Sequence, residues 1–316
     1  MKRLIILTII FLGFLTSLHA YPIAPRPLRL LVKESQHIIV GYVTNVQDRF
    51  IRSDKIENGK LISSTSFGPE MATIKVLENL QGVITADSIE VESYTNMICP
   101  EPAQYQKHTL VMVFLDKDDR GRYDTHALSY GLKALEQQDI DIYKKRIREI
   151  QKILKIDDEE LQFTETIEWL VKCAEIEVTR WEGLTELNPR WGYVSLCSDG
   201  SKRDLNTVLN ADQAARLKPL LINNVQNDID LGLADLLYST YPKEIESRLI
   251  EKLKNIDKAD YMIAAEYIPR LKSTHHLPEV KELIKNYNRL SFTEKKQNCD
   301  EFIKQFIQLT NNKDRL

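Results

Sequence analysis

His37-Ile38-Ile39-Val40-Gly41-Tyr42-Val43-Thr44-Asn45-Val46 is rich in β-branched and apolar residues, the composition of a strand. Downstream segments repeat the type. In Met71 to Leu77, Ala72, Ile74 and Val76 fall on one face, and Ser88-Ile89-Glu90-Val91-Glu92 alternates again. Leu110 to Leu115 is a continuous apolar run, expected of a strand buried on both faces, and Gly121 to Leu128 reads as its return. Residues 47–68 are polar and contain Asn58-Gly59, a hairpin turn signal. Leu28 to Gln36 fits one short helix, after a lead-in carrying Pro22, Pro25 and Pro27. Five short strands within about 95 residues predict a small antiparallel barrel.

After Gly131 the period changes. Ile140, Tyr143, Ile147, Ile150 and Leu154 recur at helical spacing, and Leu161, Ile167, Leu170 and Ala174 continue in a second helix. Residues 176–202 read as irregular. Asn210 with Gln213 forms a capping box for a third helix. Further stripes run through Ile229, Leu233 and Leu237, then Ile245, Leu249, Leu253 and Ile256. Tyr261 to Ile268 is helical up to Pro269. Val280, Leu283, Ile284 and Tyr287 follow, then Cys299, Phe302 and Phe306. These elements fit either stacked helical hairpins or a plain bundle. The fold class is therefore α+β: a small antiparallel OB-like barrel over 21–135, then an α-helical domain over 136–316.

The first twenty residues read as an address. Lys2 and Arg3 precede the apolar run Leu4 to Leu15, and Ser17-Leu18-His19-Ala20 offers a cleavage site before Tyr21. This is the layout of a secretory signal peptide (1–20), with an uncleaved anchor as the alternative. No later stretch approaches the length of a membrane span. The expected location is the periplasm or the cell exterior. With 43 Lys+Arg against 46 Asp+Glu, nucleic acid is not an expected partner.

The order Ile39-Val40-Gly41-x-Val43, Ala72-Thr73-Ile74-Lys75-Val76-Leu77-Glu78-x-Leu80-x-Gly82, Asn96-x-x-Cys99-Pro100, an apolar strand and Gly131 resembles the netrin-like, OB-type barrel. Tissue inhibitors of metalloproteinases and many bacterial exported proteins share it. The resemblance covers roughly residues 30–135 and implies the fold. The animal inhibitors chelate the protease zinc through a mature N-terminal Cys. This chain would begin at Tyr21-Pro22, so that mechanism does not carry over.

Candidate chemistry is sparse. Asp116-Lys117-Asp118-Asp119-Arg120-Gly121 starts like a calcium loop, but Arg120 and Ala127 stand where ligands are needed, so a charged hairpin tip is expected. His275-His276 are adjacent, a poor spacing for zinc on a helix. His126 and Asp124, two apart, form a candidate base and orienter on one strand face, without a nucleophile motif. No catalytic residue, metal site or cofactor is expected. Candidate binding residues are Asn96, Cys99, Pro100 and Tyr105 in a Pro-bracketed loop, with Trp181 and Trp191 of a tryptophan cluster that also includes Trp169. Export permits a Cys173–Cys197 disulfide, with free thiols as the alternative. The expected function is non-enzymatic binding of a protein or peptide partner. A hydrolase with its site at the barrel–helix junction, or an envelope protease inhibitor, are the alternatives.

Overall fold

In the computed structural model the chain divides into two compact units, Met1–Asp157 and Asp158–Leu316. Residues 25–48, 51–57, 60–67, 70–93, 101–187, 209–222, 231–255, 266–274 and 276–311 are described. The expected signal segment, 1–20, lies outside them. Among the described residues no helix is long and apolar enough to cross a membrane.

In the first unit, α1 (Leu28–Glu34) leads into β1 (His37–Asp48). β2 (Ile51–Glu57) and β3 (Lys60–Phe67) pair only with each other among the described residues. β4 (Glu70–Gln81), β5 (Ser88–Ser93), β6 (Leu110–Lys117), β7 (Tyr123–Thr125) and β8 (Leu132–Ala134) follow, then α2 (Gln137–Ile153). The return strand is shorter than the sequence suggests: β7 stops at Thr125, because Ala127 and Leu128 take left-handed φ values of 55° and 58°.

The strands close in the order β1-β4-β5-β7-β6 and back to β1, with β8 added to β6. This is a closed five-stranded barrel with OB-type connectivity. A ring with an odd number of strands cannot alternate direction all the way round. The one parallel contact falls between β5 and β7. β1 closes the ring by pairing with β4 along one edge and β6 along the other. Register shifts along its β4 edge bend it enough to do so. Gly41 sits at one of them, where a Cβ would lie 2.4 Å from Ile74 Cγ2. The glycine of the Ile39-Val40-Gly41 run thus permits a close strand approach.

Ile39, Val43, Ala72, Ile74, Ile89, Val91, Val111, Val113 and Leu115 fill the barrel. Ile38, Val40, Met112 and Phe114 point the other way and are buried all the same. Period-two alternation puts them on the outer side of β1 and β6. The apolar stripes of α1 (Leu28, Leu31, Val32) and α2 (Ile140, Tyr143, Ile147, Ile150) cover that side. Glu78 of β4 holds Lys144 at 2.6 Å and Arg148 at 3.1 Å on α2. Gln81 donates to the carbonyls of Val32 and Ser35 next to α1. The run Leu110–Leu115 is uninterrupted because one face meets the barrel interior and the other meets helices. α2 counts with the barrel, so the unit division falls after the composition change near 135.

The second unit contains α3 (Glu159–Glu175), α4 (Arg180–Leu187), α5 (Ala211–Ile222), α6 (Leu231–Leu237), α7 (Pro242–Lys254), α8 (Pro278–Arg289) and α9 (Phe292–Asn311). α3 packs on α4 and α5, α4 on α6, and α5 on α6 and α7. Helices two apart in sequence are therefore neighbours, as in stacked hairpins. The capping box forms as expected: Gln213 N donates to Asn210 Oδ1 at 2.9 Å, and Asn210 N donates to Gln213 Oε1 at 3.1 Å. α4 corrects the reading of 176–202 as irregular throughout. Gly183 looks like a helix breaker but lies inside α4, where a Cβ would stand 2.3 Å from the Leu170 carbonyl oxygen. It allows α4 to approach α3.

Candidate functional site

The Glu78–Gln81 end of β4 holds α1 and α2, whereas among the described residues the rest of the β4-β5-β7 wall shows exposed side chains on its outer face. Ala72 and Ile74 on β4, and Ile89 and Val91 on β5, point inward. Their neighbours Thr73, Lys75, Glu90 and Glu92 therefore point outward. The ladder sets Thr73 beside Glu90, Lys75 beside Ser88, and Glu92 beside Asp124 of β7. Lys75, Ser88 and Glu90 are exposed. Leu77, further along β4, is 51% exposed.

The β6–β7 turn forms one rim of this wall. Asp118 accepts backbone N–H bonds from Arg120 at 2.9 Å and Arg122 at 2.8 Å, and a side-chain bond from Arg122 Nε at 2.9 Å. Gly121 supplies the left-handed turn residue at φ 80°. The segment that opens like a calcium loop is thus a hairpin tip. The backbone N–H and guanidinium of Arg122 hold the Asp118 carboxyl below the usual carboxylate range. Arg122 also reaches Glu92 at 3.4 Å. Burial, then the Glu92 carboxylate, raise the Asp124 carboxyl above its ordinary range, while Arg122 draws it partway back. On the strands of this wall Glu90, Glu92 and Asp124 stand with one cation, Lys75, while the turn adds Asp118 and Asp119 with Lys117, Arg120 and Arg122.

His126 lies elsewhere than its spacing from Asp124 suggests. Its Nδ1 is 2.7 Å from Asp116 Oδ2 and its Nε2 is 3.4 Å from Glu34 Oε2. The expected pairing with Asp124 fails because strand alternation ends at Thr125, one residue earlier. Each ring nitrogen faces a carboxylate of this chain, so the imidazole ties α1 to the barrel. Arg26 completes the tie, 3.1 Å from Glu34.

The other sequence candidates separate. Asn96, Cys99, Pro100, Trp191, Cys197 and His275 lie outside the described residues. Tyr105 is only 6% exposed, packs in the barrel core and bonds Thr125 Oγ1 at 2.6 Å. Its hydroxyl stays protonated because burial raises its pKa. Ala103 beside it is buried in the same core. Residues 101–105 therefore serve as a core-filling crossover, and Tyr105 does not offer its ring to a partner. Trp169 is 2% exposed inside the helical unit, as expected of a packing tryptophan, whereas Trp181 on α4 is 44% exposed. Cys173 is fully buried in α3. The outward residues Lys75, Glu90 and Glu92 escaped the sequence reading, and Asp124 entered it only as a partner for His126. Alternation marks them as polar partners of the core, but only the position of the helices reveals which wall stays open. Compared with known proteins, the chain matches no family model, no curated protein and no solved structure.

Proposed function

We propose that the chain is an exported, non-enzymatic binding protein whose open β4-β5-β7 wall receives a cation-rich segment of a protein partner. The observation that carries this reading is the uneven cover of the barrel. Among the described residues the outer positions Ile38, Val40, Met112 and Phe114 of β1 and β6 are buried, whereas Lys75, Leu77, Ser88 and Glu90 of β4 and β5 are exposed, and the outward carboxylates Glu90, Glu92 and Asp124 outnumber the one cation, Lys75. Such a surface repels nucleic acid and attracts Lys- or Arg-rich chains. OB-type barrels use the same strands for ligands, which supports the choice of wall by analogy of fold alone. The resemblance to netrin-like domains belongs to this proposal, without the zinc-chelating amine.

Short random peptides selected on the purified chain test the reading. Enrichment in Lys and Arg is expected, with binding lost on combining Glu90→Lys with Glu92→Lys. Binding should also tighten as pH rises through the elevated Asp124 range, because Asp124 then gains its charge. Peptides without basic bias, or equal binding to the charge-reversed chain, would overturn it. Export has its own check: N-terminal sequencing of secreted or periplasmic material should begin at Tyr21, and an intact Met1 there would refute cleavage.

A further inference from the structure

Among the described residues, His108, Ala127 and Leu128 alone take left-handed φ values without being glycine, at 68°, 55° and 58°. Such residues are strained and persist where their surroundings hold them. Both places adjoin the core-filling crossover. Residues 101–108 form neither strand nor helix, and bury Pro102, Ala103 and Tyr105 while Glu101, Gln104 and Gln106 stay exposed. Beyond Tyr105 the chain is fixed to β1: His108 N donates to the Val43 carbonyl at 2.8 Å, and Val43 N to the Thr109 carbonyl at 2.9 Å. Ala127 and Leu128 follow His126, whose N–H donates to the Phe114 carbonyl at 2.8 Å and whose ring lies between Asp116 and Glu34. The next residue, Ser129, donates its N–H to the Glu101 carbonyl at 3.3 Å. One strained site thus stands where the crossover ends, and the other ties its start to His126.

We infer that residues 101–107 form a flap that swings out of the barrel end about His108 while the strands stay paired, and that His126 is its catch. With the imidazole seated between the two carboxylates, Ala127 and Leu128 are held at left-handed angles that Asn-Gly pairs adopt far more readily. Their turn aims Ser129 N at Glu101. Once the imidazole leaves its seat, Ala127 and Leu128 relax to ordinary backbone angles and the bond to Glu101 is withdrawn. Among the described residues, the flap is then held by hydroxyls: Ser93 Oγ donates to the Ala103 carbonyl, and the Tyr105 and Thr125 hydroxyls meet at 2.6 Å. Residues 101–107 belong to no strand, so swinging out breaks no ladder pairing. It is a local opening, and it uncovers the apolar barrel interior that Ala103 and Tyr105 fill.

Thiol labelling under native conditions tests this. Ala103→Cys reports on the flap, and Ala72→Cys reports on β4, in the same buried core. With iodoacetamide, and peptide mapping to set aside the native cysteines, position 103 should label many-fold faster than position 72. His126→Ala should speed labelling at 103 by a further factor of about ten, the worth of one or two hydrogen bonds, and move position 72 far less. Adding Ala127→Gly to that variant should slow position 103 again, because glycine meets left-handed angles without strain. The parent chain gives a reading free of core substitutions: tetranitromethane should nitrate Tyr105 faster than Tyr143, which is just as buried on α2. Equal labelling of positions 103 and 72, or equal nitration of the two tyrosines, overturns the flap. A rate at 103 that His126→Ala leaves unchanged, or that Ala127→Gly does not slow, overturns the catch.

Discussion

Phe114→Ala is expected to destabilise the barrel unit by about 3–5 kcal/mol, at the upper end of single-residue effects. Phe114 is fully buried, yet it lies on the outside of β6, beneath the helices. Truncation leaves a cavity between strand and helix that neither rigid element can collapse to fill. Urea unfolding, followed by hydrogen exchange at β6 and α2 amides, measures the loss. Leu77→Ala, at an exposed outer position on β4, should stay within about 0.5 kcal/mol of the parent. Similar losses for both variants would show that α1 and α2 do not seal that wall.

Gly131→Ala should cost about 3 kcal/mol, toward the upper end of overpacking effects. An added Cβ at this position would lie 1.9 Å from the His126 carbonyl oxygen. That oxygen is backbone, and its segment is already held by the Asp116–His126–Glu34 contacts, so it has little room to move. Ala127→Gly is the informative companion. It removes a Cβ from a left-handed residue and should leave stability unchanged or raise it by about 1 kcal/mol. Thermal melts of both variants decide the matter. A Gly131→Ala chain within about 1 kcal/mol of the parent would mean the segment yields easily.

Most of the elements can be read from local pattern, because each depends on nearby residues. The alternation at Ala72, Ile74 and Val76 and the apolar run at 110–115 predict strands, and Asn210 with Gln213 predicts a helix start; all are present. Reading fails where distant groups decide. Gly183 resembles a breaker until the Leu170 carbonyl across the helix pair is known to need the space. His126 pairs with Asp116 and Glu34, 10 and 92 residues away, rather than with the carboxylate two positions before it. The acidic wall is the clearest case. Glu90 and Glu92 alternate with core residues as any outward pair would, and only the docking of α1 and α2 on the far side distinguishes them.

The odd number of strands has a consequence for how the chain is routed. In an even ring every connection can be a tight turn between neighbours. Here β7 separates β5 from β6, so the chain leaving β5 has to skip a place at the same end of the barrel before it descends as β6. The described part of that detour, from residue 101 on, acts as a stopper: Ala103 and Tyr105 pack into the barrel core, and Ser93 Oγ fastens it by bonding the Ala103 carbonyl. Where another architecture would need a separate lid, a connection that topology makes compulsory seals the barrel end.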